Sequence, residues 1–378
     1  MSKSSHDWLE LIRALPAPTS GKSIRIMNVC GGHERSITSA GLRTLLPEHI
    51  ELVPGPGCPV CVCPEEDIYE AIQLALNESV ILVAFGDMLR VPVNVPKGEI
   101  RSLEQARAAG ADIRPIASPT EAVDIAQSNP DQTVVFFVAG FETTTAPVAA
   151  MVAEGIPANL LLLMSGRLTW PAVAMLLESG TPGFNALIAP GHVSTVMGSD
   201  EWQFVVKQHH IPAAVAGFIP ESLLAAFYSV LRQIDEEKLF LDNCYPELVT
   251  AEGNLQAQRW LEQVMDIYDA NWRGIGTIPK SGYELKPEYA ANNARIQLPN
   301  YRDEARKRAG KMPPGCDCAN VVLGKLYPNQ CKLYGTACIP SNPVGPCMVS
   351  DEGACRIWWS GGITSHGDNS SPAQDNPT

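Results

Sequence analysis

The cysteines carry most of this chain's chemical potential, and they fall into two groups. Cys30, Cys58, Cys61 and Cys63 lie near the start, and Cys316, Cys318, Cys331, Cys338, Cys347 and Cys355 lie near the end. Cys244 stands alone and reads as a small hydrophobe. In Pro54-Gly55-Pro56-Gly57-Cys58-Pro59-Val60-Cys61 two thiols sit three residues apart, after the apolar run Ile50 to Val53 and before Pro64-Glu65-Glu66-Asp67. A proline followed by acids is how a helix begins, so the pair lies in a stiff turn between a strand and a helix. The positive end of a helix favours thiolate. That suits a dithiol/disulfide couple or a metal; the bland alternative is a pair of thiols that merely packs in a core.

Cys30-Gly31-Gly32-His33-Glu34 places a thiol and an imidazole three residues apart behind another apolar run, with two glycines that let backbone approach a ligand. The pair suits iron, copper or zinc, or a Cys–His nucleophile, or it is a plain glycine-rich turn. In the second group Pro313-Pro314-Gly315 and Pro343-Val344-Gly345-Pro346 surround the thiols, and a segment that cannot build its own core often folds round a metal. Zinc ribbons use tight C-x-x-C pairs, which are missing here, so irregular all-thiol spacing fits a [4Fe–4S] cluster better than zinc or free thiols. Gly140-Phe141-Glu142-Thr143-Thr144-Thr145 has the form of an anion loop at a helix start but lacks the P-loop lysine. His192, in Pro190-Gly191-His192, is a second candidate imidazole or proton donor, or a satisfied buried histidine.

Apolar runs at Ile24 to Val29, Ile50 to Val53, Val80 to Phe85, Asp112 to Ile116, Thr133 to Val138, Asn159 to Met164, Phe184 to Ala189 and Ala213 to Ala216 read as strands that alternate with helices. That order predicts an α/β fold with parallel sheets. Two tandem units, about 20–125 and 126–220, are expected to face each other across a cleft. The unusual residues follow strands directly, at the carboxyl edge where α/β sheets bind ligands. The cleft is therefore expected to hold Cys30, His33, Cys58, Cys61, Glu142 and His192. Beyond 220 the chain reads as a mainly helical and irregular cysteine domain to about 360, with helices at Leu255 to Tyr268 and Asn300 to Ala309 and a loop from Gly274 to Tyr289. A disordered tail is expected over 361–378.

At 378 residues, 45% hydrophobic and 18% charged, the chain is globular and long enough for several cores. A net charge of −13 argues against nucleic acid and anionic membrane as main partners. No apolar leader or spanning run is evident, which predicts a cytoplasmic protein. Thiols in a reducing compartment read as redox groups or metal ligands.

Taken in order, Cys30-Gly31-Gly32-His33-Glu34, Gly55 to Cys61, Gly86-Asp87-Met88-Leu89-Arg90-Val91-Pro92, Gly140 to Thr144, Pro190 to Ser194 and the terminal cysteines resemble the motifs of the HypD family of hydrogenase maturation proteins, over about residues 20–357. The resemblance implies a scaffold on which the Fe(CN)2CO group of [NiFe]-hydrogenases is assembled. Its partners would be the small chaperone HypC, HypE with HypF as the source of cyanide, and, through HypC, the hydrogenase large-subunit precursor. It implies iron at Cys30 with His33 nearby, a redox pair at Cys58 and Cys61, and a [4Fe–4S] cluster on Cys316, Cys331, Cys338 and Cys355, whose gaps of 14, 6 and 16 residues match the family's. Cys318 and Cys347 would then be non-ligands. Two departures stand out: Cys63, where the family carries a non-thiol such as threonine, and Ile219, where it tends to carry glutamate. Independent turnover is not evident. The rival reading is an iron–sulfur-dependent thiol/disulfide oxidoreductase, which uses Cys58 and Cys61 but leaves Cys30 and His33 idle.

Overall fold

The computed structural model describes residues 3–18, 21–180, 182–308 and 311–364. Among the described residues eleven strands form two sheets, and the class is α/β as the alternation predicts. They are β1 (Ile24–Asn28), β2 (Ile50–Pro54), β3 (Val80–Phe85), β4 (Ile113–Ile116), β5 (Thr133–Gly140), β6 (Leu160–Arg167), β7 (Ala186–Pro190), β8 (Ala213–Ala216), β9 (Leu241–Cys244), β10 (Met265–Trp272) and β11 (Gly276–Leu285).

The first sheet is parallel throughout, in the order β2-β1-β7-β8-β9. The second runs β10-β11-β6-β5-β3-β4, with a parallel core and the β10/β11 hairpin added antiparallel at one edge. The chain thus visits the first sheet, crosses to the second for β3 to β6, returns for β7 to β9, and ends in the second. Each sheet draws strands from both of the segments read as tandem units. Strand–helix alternation looks the same whether successive strands are neighbours or lie in different sheets, so order along the chain could not reveal this interleaving.

β5 and β6 are buried along almost their whole length, as strands covered on both faces must be. In the first sheet β2, β1, β7 and β8 are neighbours and parallel, so the segments following them emerge side by side at one edge. That edge carries Cys58, Cys30, His192 and Phe218.

Two local expectations change. The helix from Leu255 ends at Val264, and the stretch expected as its last turn begins β10. The expected loop over 274–289 is mostly β11. Gly274, at φ +71°, makes the turn between them, and the buried Trp272 and Tyr283 anchor the hairpin. The charged helix is shorter than expected, Arg302–Arg306; Ala309 lies outside the described residues. So does the expected disordered tail from 365 onward. Among the described residues no helix is long and apolar enough to cross a membrane.

Candidate functional site

Cys30 is the N-cap of a helix that begins at Gly31, so the Gly-Gly-His-Glu run is its first turn. The two glycines are there for closeness. A Cβ on Gly31 would run into Glu352, and one on Gly32 would lie 2.8 Å from the Phe218 ring. The Gly31 N–H donates to the Gly57 carbonyl at 3.1 Å, and a side chain on Gly57 would strike the backbone of Cys30. The turn after β2 is thereby pressed onto the turn after β1.

That contact brings the two thiol motifs together. Cys58 and Cys61 form a disulfide in this structure, across the one-turn helix Pro59–Val62, and both are buried. The Cys61 N–H donates to Cys58 Sγ at 3.1 Å. Cys30, Cys58 and Cys61 line one tight cavity of about 10 Å3, closed on another side by Cys347 and Glu352 from the C-terminal segment. Burial, and then the nearby Glu352, push the Cys30 thiol up to about 12, against the lowering effect of N–H groups from His33 and Gly32. Glu352 is itself raised, by burial and by Asp87. This carboxyl escaped the sequence reading. Its signal was the second of two acids between Ser350 and Gly353, three residues before Cys355.

His33 is fully buried and donates from Nε2 to the Ala216 carbonyl at 2.9 Å, which leaves Nδ1 as a lone pair with no partner. Burial pushes its pKa down to about 4, so it is neutral at pH 7. Phe218 stands between the two imidazoles, with ring centres 5.0 Å from His33 and 3.7 Å, stacked, from His192. Neither histidine lines the thiol cavity; they stand beside it along the sheet edge.

Glu142 lies elsewhere. Fully buried after β5, it accepts from the Thr169 N–H at 2.6 Å and the Thr169 hydroxyl at 2.7 Å. Burial raises it to about 7 despite those bonds, and its charge helps raise the neighbouring Glu201. Glu142 is not among the residues that line the thiol cavity. Cys63 also faces away, its Sγ 3.4 Å from the Ser165 hydroxyl.

Glu34, the last residue of the first-turn motif, joins three elements. Its carboxylate accepts from Asn28 at 3.0 Å, from Arg43 at 2.7 and 2.8 Å, and from the Trp358 indole at 2.5 Å. Trp358 lies on the helix Ala354–Ser360, one turn beyond Cys355. The helix capped by Cys30 is thus tied to the helix that carries the last cysteine.

The six C-terminal thiols gather into one group, all buried except the half-buried Cys316. Cys316 and Cys318 are 3.4 Å apart, and Cys347 is within hydrogen-bonding reach of Cys318 and Cys355. Hydrogen bonds with Cys318 and Cys347 lower Cys355 to about 6 against burial. Gly345 has no room for a side chain: a Cβ would lie 2.5 Å from both Cys316 Sγ and Cys318 Sγ. The Val344 N–H donates to Cys338 Sγ at 3.3 Å. Among the described residues no three His, Cys, Asp or Glu groups converge on a point as single-ion ligands would. A buried all-thiol set with backbone N–H groups on sulfur has the donor chemistry of an iron–sulfur cluster. Cys318 and Cys347 lie among the other four, so geometry does not separate them from the expected ligands.

Comparison with known proteins agrees with the motifs. A family described as "HypD: Hydrogenase formation hypA family" matches residues 4–362. The hydrogenase maturation factor HypD2 of Bradyrhizobium diazoefficiens is 38% identical over 351 residues, 90% of each chain. The hydrogenase maturation factor HypD of Azotobacter vinelandii is 39% identical over 351 residues and that of Escherichia coli 39% over 346, again 90% of each chain.

Proposed function

This chain belongs to the HypD family of hydrogenase maturation proteins, and from that premise we propose that it is the redox-active scaffold on which the Fe(CN)2CO group is assembled. The observation that carries the reading is the shared cavity: Cys30 and the Cys58–Cys61 disulfide line the same small space. Iron is the cargo, and Cys30 is its thiol. Half-buried and raised, Cys30 keeps its proton until a cation arrives; binding the metal releases that proton and leaves a thiolate. As a dithiol, Cys58 and Cys61 release two electrons and two protons on closing to the disulfide seen here. His33 stays neutral beside the site, with its ring fixed by the Ala216 carbonyl. We assign Glu142 to holding the edge of the second sheet.

Cys316, Cys331, Cys338 and Cys355 would hold a [4Fe–4S] cluster, which when bound supplies single electrons. The tie from Glu34 to Trp358 keeps that thiol group and the Cys30 helix in one rigid unit. The partners in this reading are HypC, HypE with HypF, and the hydrogenase large-subunit precursor reached through HypC. The cytoplasm, a reducing compartment, suits the unpaired thiols. A thiol/disulfide oxidoreductase would have no use for Cys30 on the cavity wall. In a maturation assay reconstituted with these partners, Cys30→Ala and Cys58→Ser are each expected to abolish hydrogenase activation. Full activation by either variant would refute the scaffold reading.

A further inference from the structure

A second cavity lies away from the thiols, of about 180 Å3, between the first two turns of the helix Glu65–Asn77, the β10/β11 hairpin and the helix Arg302–Arg306. Part of its wall is self-satisfied: Arg295 pairs with Asp67 at 2.6 Å and Glu70 at 2.8 Å, and Arg167 with Asp67 at 3.3 Å. The remainder is not. Glu70 is 2% exposed, yet its Oε1 has no hydrogen-bond partner, and neither has Glu66 Oε2, whose other oxygen accepts from Asn271. Among the described residues the guanidinium groups of Arg302 and Arg306, on the same cavity, form no ion pair or hydrogen bond. Burying a carboxylate oxygen without a donor is costly, and the helix Glu65–Asn77 buries three, Glu66 Oε2 and Glu70 Oε1 on this cavity and Glu65 Oε2 away from it.

The open groups are complementary within one cavity: acceptors on one wall, donors on the other. The lining is also balanced, because with Asp269 it holds four acids against four arginines. A bare cation would meet Arg302 and Arg306, and a phosphate would meet Glu66 and Glu70. A ligand with both charges and no net charge meets neither conflict. We propose that this cavity binds a small zwitterion of the α-amino acid class, its ammonium on Glu66 and Glu70 and its carboxylate on Arg302 and Arg306. The raised pKa values of Glu66 and Glu70, due first to burial, accord with carboxyls awaiting a cationic donor. The site is also linked to the last thiol of the first group. Asp67, on its wall, accepts from Ser165 at 2.6 Å, and Ser165 in turn meets Cys63.

The test is calorimetric titration of the full chain with glycine, L-alanine and L-glutamine. N-acetyl-L-alanine, which lacks the ammonium, and L-alaninamide, which lacks the carboxylate, serve as single-charge controls. Saturable binding of at least one amino acid is expected. Each control should bind L-alanine's site at least about tenfold more weakly than L-alanine does, and Arg302→Ala and Arg306→Ala should each weaken amino-acid binding by about as much without lowering the thermal midpoint. No saturable heat at ligand on the order of 10 mM, controls that bind equally well, or binding unchanged in both arginine variants would overturn the proposal.

Discussion

Gly57 rests on the backbone of Cys30 with no space for even a methyl group between them, and through this contact the turns after β1 and β2 share one cavity. Gly57→Ala must push those turns apart. Overpacking of this kind costs about 1–3 kcal/mol, so a lower unfolding midpoint is expected in denaturant titration. Because the shift separates Cys30 from the disulfide, maturation activity should fall further than the stability loss accounts for. Unchanged activity in a destabilised variant would mean that the spacing of the two motifs is unimportant.

Glu34 supports a second prediction. Trp358→Phe keeps the ring but removes the indole N–H from a buried carboxylate that retains Asn28 and Arg43. A hydrogen bond to a charged group is worth about 1.5–3 kcal/mol, and a loss of that size is expected in chemical denaturation. The helix carrying Cys355 should loosen from the Cys30 helix, read as faster amide exchange over residues 354–360.

His33 sets a pH dependence. Its pKa falls from 6.5 to about 4 on folding because burial disfavours the charged ring. Below pH 6.5 the unfolded chain therefore takes up a proton that the native state refuses, and stability drops as pH falls from 6.5 toward 4. The full contribution of neutral His33 is present above 6.5, and at most about 3 kcal/mol is lost by pH 4. Denaturation at pH 7.5 and 4.5 should show a smaller acid loss in His33→Gln than in the parent chain. Equal losses would mean that this ring does not titrate as its burial requires.

Cys63 supports a prediction of constancy. Its thiol is pushed up to about 12 by burial and faces Ser165, away from the cavity. Cys63→Thr keeps a hydrogen-bonding group against Ser165 and should leave the midpoint potential of the Cys58/Cys61 couple unchanged. A shifted potential would show that the third thiol exchanges with the pair.

Much of the first sheet's edge was legible in the sequence because its motifs are local. A strand ending at Asn28 delivers Cys30, one ending at Pro54 delivers Cys58, and the glycines between mark close approach. What was not legible depends on pairs far apart in the chain. Glu352 reaches the Cys30 cavity, and Trp358 reaches Glu34 across 324 residues; neither spacing leaves a periodic signal. Glu142 follows β5 in the second sheet and is not among the residues that line the thiol cavity. The hairpin after Val264 was obscured because its first strand continues an amphipathic helix whose apolar positions suit either period.

The most direct measurement is an infrared spectrum of the chain purified anaerobically after co-expression with HypC, HypE and HypF. Bands from metal-bound cyanide and carbon monoxide are expected in the parent chain and absent in Cys30→Ala, with acid-labile sulfide retained in both. The same bands in the Cys30→Ala variant, or none in the intact complex, would contradict assembly of the iron group on this thiol.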